Sequence, residues 1–285
     1  MRVLLLGAGG MLGRELAATA PPAVTLFPLA RAQLDITQSA AVAATLRELR
    51  ADVVINAAAY TLVDRAEAES QAAIAVNGAA VGQLGRLARQ AKARVVHFST
   101  DYVFDGTARD PYYEDSPRHP INAYGMSKAA GERELQSSGA KYLLVRTQWL
   151  FGEHGTSFPR TMWKRARAGR ATRVVNDQLG RPTYARDLAA AVWRLIDGRE
   201  CGVMHVTNQG QATWFDVAAR VFARAGRPDL LTPCATADYP TKARRPRYSV
   251  LDTERAEKAL GGPLPAWEEA VDRFLATIKE AGMSS

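Results

Sequence analysis

Cysteine is scarce in this 285-residue chain, with Cys201 and Cys234 the only two. They lie far apart, which excludes a disulfide framework and a paired zinc motif and suits a reducing compartment. The four histidines, His97, His119, His154 and His205, show no close metal-ligand spacing, so no tightly bound metal is expected. Long apolar runs are also missing. No uninterrupted stretch approaches the roughly 20 residues needed to cross a bilayer. The opening MRVLLLG stops its apolar run at Gly7 and lacks the pattern of a signal peptide. A cytoplasmic protein with no membrane partner is the expectation.

What is present is a composition ordinary for a folded enzyme, 47% hydrophobic and 23% charged, which excludes a disordered chain. The net charge of +8 raises the question of nucleic acid, and RRPR at 244–247 is the densest basic stretch. Helix-turn-helix, zinc-finger and RNA-binding signatures are absent, so no nucleic-acid partner is expected. A polyanionic small substrate such as a nucleoside diphosphate needs only two or three well-placed arginines.

RVLLLG, VTLFPLA, DVVINAAAY, RVVHFSTDYVF and YLLVRTQWLFG are apolar runs separated by amphipathic segments at 11–20, 38–50, 71–92 and 122–138. Buried parallel strands joined by helical crossovers give this rhythm. The fold class is α/β, a Rossmann-like doubly wound parallel sheet with a smaller C-terminal substrate-binding lobe. Residues 1–150 are assigned to an NADP(H)-binding domain and 151–285 mainly to the lobe. The chain is expected to return to the sheet around 172–206, where TRVVND and GVMHVTN read as strands. Later helices are expected at 156–168, 186–197, 213–226 and 265–281.

The first strand runs into GAGGMLGRELA, placing Gly7, Gly10 and Gly13 around Met11 and Leu12 at the opening of a helix. Such a turn lets a pyrophosphate approach the backbone at the helix N-terminus. At the end of the second strand, PLARAQLDIT has Ala30 and Arg31 where an acid would bind ribose hydroxyls. This favours NADPH, with NADH the alternative; Arg31 equally reads as a surface residue. Asp35 and Ile36 stand where an adenine edge would lie, although Asp35 also suits a cap for the next helix. In NAAAY, the small residues Ala57, Ala58 and Ala59, followed by Tyr60, allow close cofactor approach or tight helix packing.

FSTDYVFDG ends another strand with Ser99, Thr100 and Asp101, either facing a ligand crevice or serving as turn chemistry. In NAYGMSKAAGE, Tyr124 and Lys128 are four apart and share a helix face. They are either a catalytic pair or two polar residues on a solvated surface. An ammonium beside a phenol would lower its pKa, and a hydroxyl from Thr100 would share the substrate oxygen with Tyr124. Together these groups would make a carbonyl reductase or alcohol dehydrogenase.

The glycine turn, Thr100 and the Tyr-x-x-x-Lys pair, in this order, resemble the extended short-chain dehydrogenase/reductase superfamily. Within it, NAAAYTLVDRAE, HFSTDYVFDG, NAYGMSKAAGE, DQLGRPT and RPRYSVLDT are similar to the dTDP-4-dehydrorhamnose reductase family across most of the chain. The resemblance implies reduction of the 4-keto group of a dTDP-sugar, the last step in making a rhamnose donor for lipopolysaccharide or cell-wall polysaccharide. It implies Tyr124 as proton donor, Lys128 as its pKa tuner and ribose ligand, and Thr100 as third catalytic residue, with Ser99 at the cofactor and Asp101 at the substrate. Thr61 and Val63 match positions that meet the sugar nucleotide. Trp149 matches a pocket aromatic, with core packing as its other reading. Arg181 and the RPR segment would suit the diphosphate. Some members form a metal-linked homodimer through C-terminal glutamates; Glu268 and Glu269 lie in that region, but their spacing shows no metal site.

Ala30 is a departure, because many relatives carry an acid there, so dual cofactor use does not transfer to this chain. Two other readings use the same scaffold. A dehydratase or epimerase of the superfamily would place Asp-Glu after the threonine, whereas Tyr102 follows Asp101 here. A non-catalytic cofactor-binding regulatory subunit is disfavoured by the intact Thr100, Tyr124 and Lys128.

Overall fold

The computed structural model describes residues 1–282. Strand β1 (Arg2–Leu6) is buried from Val3 onward and ends at the glycine turn, from which helix α1 (Met11–Ala18) starts. Strand β2 (Thr25–Leu29), helix α2 (Ser39–Leu49) and strand β3 (Val53–Asn56) follow. Two short helices, α3 (Val63–Ala66) and α4 (Ser70–Ile74), lead through a π-helical turn at Ala75–Ala79 into α5 (Ala80–Gln90). The sequence pattern suggested one continuous helix over 71–92. Strand β4 (Arg94–Thr100), helix α6 (Ala123–Ser137) and strand β5 (Tyr142–Thr147) complete the first half.

Shorter elements then alternate: β6 (Leu150–Phe151), α7 (Phe158–Arg167), β7 (Thr172–Val175), β8 (Leu179–Gly180) and β9 (Thr183–Tyr184). After them come α8 (Ala185–Asp197), β10 (Gly202–His205), β11 (Ala212–Thr213), α9 (Trp214–Arg224), β12 (Leu231–Cys234), α10 (Glu254–Leu260) and α11 (Trp267–Gly282).

Six strands form one sheet in the order β10-β5-β4-β3-β1-β2, and every neighbouring pair is parallel. Pro28 sits on β2 at the sheet edge, the place where a missing backbone donor costs least. Because β2 and β3 flank β1 on opposite sides, strand order reverses there and opens a crevice at the carboxyl ends. One face of the sheet is covered by α1, α8 and α10 through Leu12, Leu16, Leu188, Val192 and Leu260. The other is covered by α2, α5 and α6 through Val42, Leu46, Leu84 and Leu135. A separate core of Phe151, Tyr184, Val221, Phe222, Trp267 and Phe274 holds the smaller lobe.

Of the two late strands suggested by sequence, only β10 returns to the large sheet, beside β5. The TRVV segment instead pairs in parallel with β12 inside the smaller lobe. The reason lies downstream in the chain: Leu231–Cys234 supplies a pairing edge that the local pattern around 172 could not reveal.

Helix α6 is pressed unusually close to its neighbours. A Cβ on Gly131 would lie 1.9 Å from the Asn77 carbonyl oxygen, and one on Gly125 would lie 2.1 Å from the Tyr102 carbonyl oxygen. Asn77 belongs to the π-helical turn and donates from Nδ2 to Ser127 Oγ at 2.9 Å and to the Tyr60 carbonyl at 2.9 Å. The irregular turn therefore serves as a docking point for α6, which explains the break in the expected helix. Alanine in place of a helical glycine ordinarily adds up to about 1 kcal/mol, but here the obstacle is backbone. Gly131→Ala is expected to destabilise the fold by about 1–3 kcal/mol, read as a lower denaturation midpoint at constant m. A midpoint that stays or rises would show that α6 is not held this tightly.

Candidate active site

The glycine turn is built by contact as much as by flexibility. Gly7 has φ +75°, and a Cβ there would meet the Ala58 nitrogen at 2.5 Å, so the ends of β1 and β3 converge on it. A Cβ on Gly13 would lie 2.2 Å from the Gly7 carbonyl oxygen, which lets α1 start against the strand end. Gly10 caps α1 without any side-chain hydrogen bond, leaving first-turn amides directed outward.

Strand β4 delivers Ser99, Thr100 and Asp101 to the same edge. Thr100 Oγ1 donates to Asp101 Oδ1 at 2.9 Å and accepts from the Tyr102 amide at 3.1 Å. Asn122 caps α6 by accepting from the Gly125 amide at 2.7 Å, and its Nδ2 donates to the Arg244 carbonyl at 2.9 Å. This capped start places Tyr124 in the crevice, edge-on to Tyr102 with ring centroids 6.1 Å apart. One turn later, Lys128 is buried and donates from Nζ to the Phe98 carbonyl at 2.6 Å.

Burial raises the Tyr124 phenol, the Asp101 carboxylate adds to that rise, and the Thr100 hydroxyl opposes it. Burial is the largest influence on the phenol, and the Lys128 ammonium is aimed at the Phe98 carbonyl. Lys128 is itself brought down to about 8 by burial, with Glu132 opposing. Asp101 is pushed up to about 6 by burial, against hydrogen bonds from Ser249, Thr100 and Gln148. Behind Lys128, burial drives His97 well below its ordinary value, and the nearby ammonium acts in the same direction. The His97 ring lies with Nδ1 3.2 Å from Asn56 Nδ2.

A cavity of about 900 Å³ joins these groups. It is lined by Gly10, Met11 and Leu12 of the turn, by Ala57, Ala58 and Ala59 after β3, and by Thr61 and Val63. Ser99, Thr100, Asp101, Tyr124, Lys128 and Trp149 line it as well. Five sequence candidates lie elsewhere. Tyr60 donates to Glu69 Oε2, Ile36 is buried in the core under α2, and Asp35 accepts from Thr37 and pairs with Arg31. Arg181 donates to Thr253 Oγ1 at 3.0 Å instead of facing the cavity.

Trp149, foreseen from the sequence, and residues that sequence reasoning missed complete the walls. Trp149, held at φ +49°, stacks on Trp214 at 3.7 Å between centroids, and its ring lies over Gly180. Trp214 and Tyr102 also border a second cavity of about 710 Å³, where Arg165, Arg173 and Arg245 gather with Phe158 and Tyr239. Arg245 comes from the basic RPR segment and pairs with Asp64 at 2.8 Å. Arg165, Arg173 and Trp214 carry no local motif, and only the fold brings them together.

A dinucleotide fits the first cavity. Uncapped α1 amides, alanines with no bulk at the end of β3 and a buried, unpartnered Thr147 Oγ1 offer it polar contacts on an otherwise open wall. The switch-point crevice and the Thr100, Tyr124 and Lys128 grouping define a reductase of the extended short-chain dehydrogenase/reductase class. The model for the RmlD substrate binding domain matches residues 1–280. A dTDP-4-dehydrorhamnose reductase of Burkholderia thailandensis is 40% identical over 95% of this chain and 97% of that protein. The chain belongs to the dTDP-4-dehydrorhamnose reductase family. A Streptomyces antibioticus protein named as a probable dTDP-4,6-dihydroxy-2-methyloxan-3-one 4-ketoreductase is 42% identical over 95% of this chain and 93% of its own. The crystal structure of a Bacillus anthracis dTDP-4-dehydrorhamnose reductase in complex with NADP superposes with a TM-score of 0.93. It is 35% identical, covering 97% of this chain and 99% of that one.

The depressed Lys128 has a stability consequence. Its ammonium holds a proton less well folded, at about 8, than unfolded, at 10.5. Between those values the unfolded chain binds more protons, so stability rises with pH across that window. The penalty is complete below pH 8 and gone above pH 10.5. Relative to Lys128→Met, the protein should gain on the order of 3 kcal/mol between those limits, read from denaturation at each pH. A difference that stays flat with pH would show that Lys128 keeps an ordinary affinity for its proton.

Proposed function

We propose that the protein reduces the 4-keto group of dTDP-4-dehydro-L-rhamnose to give dTDP-L-rhamnose, with NADPH as reductant and NADH as the alternative. One observation carries this reading: Thr100, Tyr124 and Lys128 line a cavity that shares Tyr102 and Trp214 as walls with a second, which is lined by arginines and aromatics. The first suits a dinucleotide and a keto sugar. The second offers cations to a diphosphate and rings to a base.

Met11, Leu12 and the α1 amides would hold the pyrophosphate, and Lys128 the ribose next to the nicotinamide. When bound, NADPH supplies hydride to the carbonyl carbon. Tyr124 supplies the proton to the carbonyl oxygen. Its raised pKa keeps the phenol protonated at neutral pH, so the proton is in place before the hydride arrives. When substrate binds, Thr100 would turn its single hydroxyl proton from Asp101 to the same oxygen. Until then Asp101, buried against Thr100, accepts that proton and holds the hydroxyl in place.

The paired indoles of Trp149 and Trp214 set the sugar between the two cavities. Arg165, Arg173 and Arg245 would take the diphosphate in preference to Arg181. Among the described residues no helix is long and apolar enough to cross a membrane. Action in the cytoplasm and pairing as a homodimer belong to this proposal.

The test follows NADPH absorbance with dTDP-4-dehydro-L-rhamnose generated in place. The parent should turn over, and Tyr124→Phe should lose roughly 100-fold or more in kcat. Full activity in that variant would remove Tyr124 as proton donor. A parent that binds NADPH without oxidising it would favour a non-catalytic subunit.

A further inference from the structure

Discrimination between NADPH and NADH requires a cation beside the adenosine ribose, and the sequence points to Arg31 for that role. In the fold, Arg31 has a side chain 82% exposed and bonds Asp35 through Nε at 3.1 Å. It does not line the cavity, whereas Arg14 does. Arg14 Nε donates to the Gly9 carbonyl at 3.1 Å, which fastens the guanidinium on the glycine turn. A Cβ on Gly9 would lie 3.5 Å from the Ala30 side chain, so this turn abuts the end of β2. That is where the adenosine ribose of a dinucleotide meets a doubly wound sheet. Among the described residues Arg14 forms no ion pair, and its terminal nitrogens remain to meet an anion. Ala30 adds the complementary feature. It leaves the end of β2 without a carboxylate there that would hydrogen-bond a bare ribose hydroxyl or repel a phosphate in its place.

We propose that Arg14, not Arg31, recognises the 2′-phosphate and sets a preference for NADPH over NADH. This rests on the reading of the first cavity as the dinucleotide site. A guanidinium anchored through Nε presents its two outer nitrogens as a fork, a geometry suited to phosphate oxygens. Arg31 is also held through Nε, but on the Asp35 carboxylate, which already offsets its charge, and its side chain does not line the cavity.

The experiment is calorimetric titration of NADPH and of NADH, without sugar substrate, into the parent, Arg14→Ala, Arg14→Lys and Arg31→Ala. Arg14 is exposed, so its replacement leaves the core intact. Arg14→Ala should weaken NADPH roughly 10- to 100-fold, the range of one charge-assisted hydrogen-bonded contact, and leave NADH nearly unchanged. Arg14→Lys should recover part of the loss. Equal weakening of both cofactors by Arg14→Ala, or a larger selective loss in Arg31→Ala, would overturn the assignment alone. A parent that binds neither cofactor would overturn the dinucleotide reading and this proposal with it.

Discussion

The site depends on how closely helix α6 approaches the end of β4 and the π-helical turn. Two glycines allow it. At Gly125 and Gly131 a single methyl group would collide with backbone carbonyl oxygens, those of Tyr102 and Asn77. This contact fixes the distance between an element carrying Thr100 and one carrying Tyr124 and Lys128. The Asn122 cap then sets the rotation of the helix, because its side chain is tied both to Gly125 and to the Arg244 carbonyl. A strand end, a helix start and the basic segment are thus locked by short polar contacts before any ligand arrives, which is what preorganised catalysis requires.

Beneath this locked helix lies a buried ion pair. Glu132, fully buried on α6, accepts from Arg146 Nε at 2.9 Å and Nη2 at 2.8 Å, while Arg118 reaches the same carboxylate at 3.0 Å. Burial works to raise the Glu132 carboxyl, but Arg146, Ser99 and Arg118 outweigh it and hold it below its ordinary value. Arg146 also donates to the Glu114 carbonyl and abuts His205 on β10. A buried pair of this kind is weak support for stability as such. Its effect here is positional: it joins α6 to β5 and leaves a permanent negative charge one helical turn from Lys128.

Much of this was legible in the sequence because it is local. Apolar runs, glycine spacing and hydroxyls at strand ends are set by a few neighbouring residues, and the five early strands and the helix bearing Tyr124 fall where those patterns put them. The residues whose placement the pattern did not foresee share one cause. Arg31 and Asp35 have the right residue types but satisfy each other, and Arg181 has the right charge but turns to Thr253. Trp214, Arg165 and Arg173 are separated from the rest of the site by stretches of chain that only tertiary packing folds back. Sequence pattern shows which groups are available; it does not show which have already found partners. The direction of the Tyr124 shift belongs to the same category, since burial is a property of the whole fold.

The stacked indoles of Trp149 and Trp214 give the molecule an optical handle. One ring follows β5 at the end of the large sheet, and the other opens a helix of the smaller lobe. Rings so close and nearly parallel, 10° between planes, couple their electronic transitions. The coupling exists only while the two lobes keep their present spacing. The circular dichroism of that pair is consequently a ruler built across the mouth of the site, readable in solution without adding a label.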